Sequence, residues 1–130
     1  MSTIASAGSG YPSVKLKTIG DSVTGRIVGY EDYQMKEFGT NELKFWEKSG
    51  DPMMATRIDL EMNPGDASSR VSLYVEKKNM RNAIRNAVIA AAGSDIEEGA
   101  DLAVTFSGLD GRSHAFQAAY ARPDVEAQAA

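Results

Sequence analysis

The 130-residue sequence contains no cysteine and a single histidine, His114. Without cysteine there is neither a disulfide framework nor a thiolate metal site, and one histidine leaves little for zinc binding or histidine-based catalysis. No hydrophobic run approaches the length that crosses a membrane. We therefore expect no metal, no cofactor and no membrane partner.

The sequence also lacks the motifs of secretion and of common enzyme sites. Its start, MSTIASAGSG, has neither the basic residues nor the apolar stretch of a signal peptide, which predicts a cytoplasmic protein. Neither G-x-x-x-x-G-K-[ST] nor HExxH occurs. Asp59 and Glu61 would share one strand face, but two carboxylates are weak grounds for a divalent-metal site. The chain is therefore not expected to be an enzyme, and no catalytic residue is assigned.

The composition is that of an ordinary globular domain, with 42% hydrophobic and 25% charged residues. The net charge of −4 argues against a general polyanion binder but leaves room for a local basic face. We predict a disordered N-terminal segment over residues 1–12, one domain over 13–122 and a short flexible tail over 123–130.

Alternation of apolar and polar residues predicts five strands. The segments that alternate are GDSVTGRIVGY, MMATRIDLEM, RVSLYVE, DLAVTFSG and AFQAAYA. Gly25 and Gly29 predict a bulge or bend in the first strand, and a long connection is expected from about Glu31 to Pro52. The turn sequence Asn63-Pro64-Gly65-Asp66 predicts that the second and third strands form a hairpin.

Apolar residues at three- and four-residue steps predict one amphipathic helix, from about Lys78 to Ala92, with Gly93 as its stop. The order of elements is then β-β-β-α-β-β, with the helix between strands three and four. This order is typical of the OB-fold, a five-stranded Greek-key barrel. An SH3-like barrel and an open α+β sheet remain as alternatives.

Strands two and three would carry the ligand face of such a barrel. The residues expected to point inward are Ile58, Leu60, Met62, Val71, Leu73 and Val75. The opposite face then carries Arg57, Arg70, Ser72 and Tyr74, with Arg26 on the outer side of strand one. Arginine pairs with phosphates and stacks on bases, so this face is a candidate nucleic-acid surface. The alternative is that these residues are ordinary solvated strand residues.

The connection between the first two strands interleaves lysines with aromatic residues, as a site for single-stranded nucleic acid requires. Its residues of this kind are Tyr30, Tyr33, Lys36, Phe38, Lys44, Phe45, Trp46 and Lys48. Alternatively, the rings cap the barrel or lie in a dimer interface. Arg112 and His114, in the connection between the last two strands, are candidates for a second clamp.

A basic cluster marks the start of the helix, and its members are Lys77, Lys78, Arg81 and Arg85. Cations at this end oppose the helix dipole. The cluster is either a path for phosphates or a solvated helix face.

Several segments in order carry a family resemblance: IGDSVTGRIVGY, KFW followed by GDPMM, SLYVEKKNMRNAIRNAV and ADLAVTFSG. Over about residues 15 to 122 the chain resembles small OB-fold single-stranded DNA-binding proteins encoded by phages of actinobacteria. The resemblance marks Lys44, Phe45 and Trp46 and the turn Gly50–Met54 as family features. It implies a role in phage DNA replication and recombination, in the cytoplasm of the host. The tail PDVEAQAA differs from the acidic, apolar-tipped tails with which many bacterial single-strand binders recruit partners.

The resulting expectation is a protein that binds single-stranded DNA without sequence preference. Tyr74 and Trp46, with Phe45 and Tyr33 as lesser candidates, would stack on bases. The cations expected to hold phosphates are Arg26, Arg57, Arg70, Lys44 and Lys48, with Arg112 beside them. A homo-oligomer is expected because linked sites raise the effective affinity, and phage replication or recombination proteins are possible partners. The alternative is an OB-like protein–protein adaptor or assembly factor without nucleic-acid binding.

Overall fold

A computed structural model describes residues 11–36, 39, 42–110 and 113–123. Its elements are β1 (Ser22–Gln34), β2 (Met54–Glu61), β3 (Arg70–Val75), α1 (Lys78–Ala90), β4 (Asp101–Asp110) and β5 (Ser113–Ala121). A short 3-10 turn, Ala67–Ser69, joins β2 to β3. The predicted order of elements, with the helix between the third and fourth strands, is confirmed.

The five strands form one sheet in the order β3-β2-β1-β4-β5, and all neighbouring pairs are antiparallel. The central strand is β1, whose first residues pair with β4 and whose remainder pairs with β2. In the described part of the chain, no ladder joins β3 to β5. The hydrogen-bonded sheet is therefore open, so it supports a mostly β fold with one helix but not a closed barrel.

The first strand is longer than its sequence pattern predicts. Residues 31–34, which the sequence assigned to a connection, pair with residues 54–57 of β2. The polar side chains of this stretch find partners across the pair, as where Thr56 Oγ1 donates to Asp32 Oδ1 at 2.7 Å. A register shift between Ile27 and Gly29 confirms the predicted irregularity in this strand.

The core lies between one face of the sheet and the helix. Its buried members are Val23, Ile27, Ile58, Leu60, Leu73, Val75, Met80, Ile84, Val88, Ala100, Leu102, Val104 and Tyr120. Of the inward set predicted on β2 and β3, Met62 is wrong: it follows the end of β2 and is about half exposed. Gly25 permits close packing here, because a Cβ atom at this position would lie 2.9 Å from the carbonyl oxygen of Glu61.

The helix ends at Ala90, and the left-handed residue beyond it is Ala92, with φ of 65°. The amide of Ala92 donates to the carbonyl of Ile89, and that of Gly93 to the carbonyl of Val88. This is the Schellman arrangement, in which glycine usually occupies the left-handed position. Gly93 instead follows that position, where a Cβ atom would lie 3.1 Å from a Val88 methyl group.

The chain before β1 covers the outer edge of β3. The Ser72 amide donates to the Pro12 carbonyl and the Val14 amide donates to the Ser72 carbonyl, both at 2.8 Å. Ser13 and Ser72 form a parallel bridge. Most of the predicted disordered segment and the tail, residues 1–10 and 124–130, lie outside the described residues.

Candidate nucleic-acid interface

The connection between β1 and β2 contains a small ordered hairpin over residues 43–53, here called the inner hairpin. Its backbone is tied on both sides: Lys44 donates to the Met35 carbonyl at 2.8 Å and accepts from the Met53 amide at 3.0 Å. Trp46 donates to the Asp51 carbonyl at 2.9 Å and accepts from the Gly50 amide at 2.8 Å. The aromatic pair therefore sits on a fixed backbone.

Phe45 and Trp46 are 51% and 50% exposed. Neighbouring residues of an extended chain point to opposite faces. Trp46 therefore shares its side of the inner hairpin with Lys44, while Phe45 shares the other side with Leu43, which is also about half exposed. One side pairs a large ring with a cation, and the other side is apolar.

The lysines of the inner hairpin are available for an anionic ligand. In the described part of the chain, neither Lys44 nor Lys48 forms an ion pair with a carboxylate. Lys48 is exposed within the turn that follows Trp46. A ring and two cations thus lie within a few residues of one another on a hydrogen-bonded support.

The second group of predicted residues lies on the face of β2 and β3 that points away from the helix, here called the outer face. Arg57 is central to it, and its side chain is only 12% exposed. The guanidinium binds Asp59 through two bonds of 3.1 and 3.2 Å and Glu31 through one of 3.1 Å. Asp59 also accepts from the Ser72 hydroxyl at 2.9 Å. Two carboxylates therefore occupy the guanidinium that was expected to hold phosphate.

Arg70 is similarly engaged on the outer face. Its Nε donates to Glu61 at 2.9 Å and its Nη1 donates to the Tyr11 hydroxyl at 3.3 Å. Glu61 also accepts from the Gly65 amide at 2.6 Å. That amide bond and, after it, the Arg70 bond hold the pKa of Glu61 below its usual range.

Arg26 lies on the same row of the sheet, opposite Glu61 of β2 and Asp101 of β4. Its Nε is 3.4 Å from Asp101 Oδ1, and both side chains are about half exposed. An exposed pair of this kind contributes little to stability. Of the three predicted strand arginines, Arg26 is the one whose guanidinium is most open to solvent.

Tyr33 and Tyr74 meet edge to face on the outer face, with ring centroids 6.1 Å apart and an interplanar angle of 79°. The Tyr33 hydroxyl donates to Glu76. Burial raises the pKa of Tyr33, and the bond to the Glu76 carboxylate raises it further. Both rings are partly buried, so less of each ring is open to a base than at Trp46.

The predicted second clamp is described only in part. Arg112 lies outside the described residues. The His114 ring lies against Phe106, with centroids 4.8 Å apart, and its Nδ1 is buried without a hydrogen-bond partner in the described part of the chain. His114 is thus packed among aromatic rings instead of being presented to a ligand.

The cations at the start of α1 lie on an exposed side of the helix. Across the described ranges, Lys77, Lys78, Arg81 and Arg85 are exposed and make no ion pair. Arg81 and Arg85 line a groove of about 520 Å³ between the sheet and the helix.

The alternating charges on β2 are a sequence signal for the pairing of Arg57 with Asp59. The partners of Arg57 and Arg70 on other strands depend on the register of the sheet, and the sequence did not predict them.

Comparison with protein-family models, with curated proteins and with solved structures gives no match. Within the described residues, no helix has both the length and the apolar character needed to span a bilayer. Those residues also contain no cluster of three or more histidine, cysteine or acidic side chains suited to a metal ion. The site is therefore interpreted from its own geometry.

Proposed function

We propose that this protein binds single-stranded DNA without sequence preference through the inner hairpin. Trp46 stacks on a base, while Lys44 and Lys48 contact the flanking phosphates. The observation that carries the proposal is the half-exposed Trp46 ring beside Lys44 on a hydrogen-bonded hairpin. Aromatic stacking contributes about 1–3 kcal/mol per base and needs no sequence code.

The order of the hairpin supports this role. A ring held on a fixed backbone loses little conformational freedom when a ligand binds, so more of the stacking energy appears as affinity. The bonds that join Lys44 to Met35 and Met53 supply this order before any strand arrives. Phe45, on the other side of the hairpin, is a candidate to stack on a second base if the DNA strand passes around the hairpin turn.

We assign the fold to the OB class as part of the same proposal. The order of elements and the central β1, which pairs with both β2 and β4, support it. OB barrels are partly open, and they bind nucleic acid near the strand 2–3 face and the first and last hairpin connections. In this assignment α1 occupies the gap between β3 and β5, since it packs mainly on β5.

The strand residues take a secondary part in the proposal. Arg57 and Arg70 must give up a carboxylate partner in order to bind a phosphate of DNA. Loss of the internal ion pair offsets most of the free energy gained from the new one. Their main contribution is to order the outer face. A DNA strand that extends beyond the inner hairpin has secondary candidate contacts at Arg26, Tyr33, Tyr74 and Arg112.

The cellular context of the proposal rests on the resemblance to phage single-strand binders. It points to DNA replication or recombination during infection, in the host cytoplasm. A small domain covers a short stretch of DNA, so a homo-oligomer would increase its occupancy of long strands. Light scattering with and without oligo-dT measures the oligomeric state directly.

The test is a titration of the intrinsic fluorescence of Trp46 with oligo-dT at low and moderate salt. Trp46 is the sole tryptophan, so the signal reports one position. We expect saturable quenching and an affinity that falls as salt rises. If the fluorescence is unchanged and the oligonucleotide shows no mobility shift, strand binding is excluded.

The apolar side of the inner hairpin favours one alternative, a protein-binding adaptor. Leu43 and Phe45, and Met54 just beyond the hairpin, are each about half exposed, and exposed apolar clusters mark protein interfaces. In that case Phe45 and Trp46 are interface anchors, and the protein has negligible affinity for oligo-dT at moderate salt.

A further inference from the structure

We propose that the basic side of α1, formed by Lys77, Lys78, Arg81 and Arg85, is a second phosphate-binding surface for the same single strand. This inference rests on the proposed function and extends it to a part of the molecule outside the strand 2–3 face. This surface would bind phosphates of the same DNA strand whose base stacks on Trp46, but at a separate position on the protein.

The position of these cations is unfavourable for the isolated helix. Helix N-termini carry a partial positive charge and favour acidic residues. Here the N-cap is Lys77, which makes no side-chain capping bond, and the first turn contains no acidic residue. Arg81 and Arg85 lie one turn apart, where like charges repel. An anion bound along this side would relieve both effects.

The arginines of the described chain divide into two kinds. Arg26, Arg57, Arg70 and Arg122 each bind a carboxylate. Arg81 and Arg85 bind none within the described residues, although Asp32 and Asp95 line the same groove. Both guanidinium groups are therefore ready for phosphate without first giving up an internal partner, which makes them better phosphate ligands than the strand arginines.

The start of α1 lies between the two connections that flank an OB ligand site. Glu76, just before the helix, accepts from Tyr33 near the end of β1. Asn79, in its first turn, donates from Nδ2 to the His114 carbonyl near the start of β5 at 2.8 Å. The groove that contains Arg81 and Arg85 also includes Asp32 and Thr56, near the β1–β2 connection. A DNA strand that leaves this connection along the groove therefore passes the basic side of α1.

The groove beside this surface fits a polynucleotide better than an acidic peptide. Its apolar lining includes Ile58, Val75 and Ile84, but Asp32 and Asp95 lie in it as well. An acidic peptide inserted there would face both carboxylates. A polynucleotide can keep its phosphates on the arginines and leave the groove to an uncharged base.

The test compares Arg81→Gln/Arg85→Gln with the wild type in titrations with oligo-dT longer than the ~4–16 nucleotides that one OB domain covers. Each phosphate contact on a single strand adds about 0.7 to the slope of log affinity against log salt. We expect the slope to fall by about 1.4 and the affinity at about 0.1 M salt to fall about 25-fold. Quenching of Trp46 at saturation should persist, because the stacking site is intact.

The matched control is Lys15→Gln/Lys17→Gln, which removes the same charge from two exposed lysines before β1. An unchanged slope in the helix variant, while the wild type still binds, overturns the second surface and leaves the proposed function standing. An equal loss in the lysine control shows that overall charge is responsible and also overturns it. If the wild type itself does not bind oligo-dT, both proposals fail together. Thermal melting of each variant separates lost contacts from lost folding.

Discussion

The arginines of the outer face and those of the helix differ in what surrounds them. The Arg57 side chain is only 12% exposed and is bound by two carboxylates, whereas Arg85 is exposed and, in the described part of the chain, lies in no ion pair. A buried, paired charge serves the fold, because removing either partner leaves the other desolvated. An exposed, unpaired charge costs the fold little and is free to meet a ligand. Residue type alone therefore does not identify the cations that are available to a phosphate.

The largest expected effect comes from breaking the Arg57 pair. Arg57→Gln leaves Asp59 buried without its main partner, so the free energy of unfolding should fall by about 3–5 kcal/mol. Arg85→Gln, the matched change on the helix, should alter it by less than about 0.5 kcal/mol. Urea unfolding of both variants measures the difference. Equal stabilities would show that the outer face does not depend on its ion pairs.

The next effect concerns binding at the inner hairpin. Trp46→Ala should weaken oligo-dT binding by about 1–3 kcal/mol, since the stacking ring is lost. The thermal midpoint should change little, because Trp46 is half exposed. Phe45→Ala, on the opposite side of the hairpin, is the comparison and should cost less affinity, because Phe45 is only a candidate for contact with a second base. A large loss of stability with unchanged affinity would instead make Trp46 a packing residue.

Lowering the pH protonates Glu61 and so removes the carboxylate that pairs with Arg70. The pKa of Glu61 in the folded protein lies below its value in the unfolded chain. Its contribution to stability is therefore present above about pH 4.3, the ordinary glutamate value, and is lost as the pH falls through the folded pKa. Thermal melts from pH 7 to pH 3 should show a smaller acid loss for Glu61→Gln than for the wild type. Glu47→Gln, on the exposed hairpin turn, should keep the wild-type loss.

The smallest expected effect is a change in stability at the C-terminal end of α1, from a substitution that leaves its charges unchanged. Ala92 adopts a left-handed conformation that glycine accepts more readily, so Ala92→Gly should stabilise the protein by about 1 kcal/mol. Ala91→Gly, at a residue with φ of −88°, should give no such gain. Thermal melts of the two variants measure this. If they behave alike, backbone strain at Ala92 is not significant.

The spacing of apolar residues predicted the strands and the helix well, because the buried positions of each element recur at the same spacing. Ile58 and Leu60 on β2, and Met80 and Ile84 on α1, are buried as their spacing predicts. The polar stretch from Glu31 to Gln34 was missed because its strand character comes from pairing with β2 instead of from an apolar pattern.

The candidate site was less predictable than the fold, because it depends on which residues meet across strands. The partners of Arg57 and Arg70 are set by the register of three strands and by Tyr11, far away in sequence. Trp46 was predicted as a stacking residue from the lysines and aromatic residues that alternate around it, but the hairpin that fixes its backbone depends on the bonds of Lys44 to Met35 and Met53. Gly93 was predicted to stop the helix by residue preference, whereas the left-handed residue at the helix end is Ala92, just before it.

The segment from Pro12 to Val14 has a consequence for how the chain associates. An unpaired sheet edge is a template on which another chain can add a strand and begin aggregation. At Ser72 the amide and carbonyl of β3 are already used by Pro12 and Val14. Removing residues 1–14 would expose this template, so a truncated chain should aggregate at concentrations that the full chain tolerates.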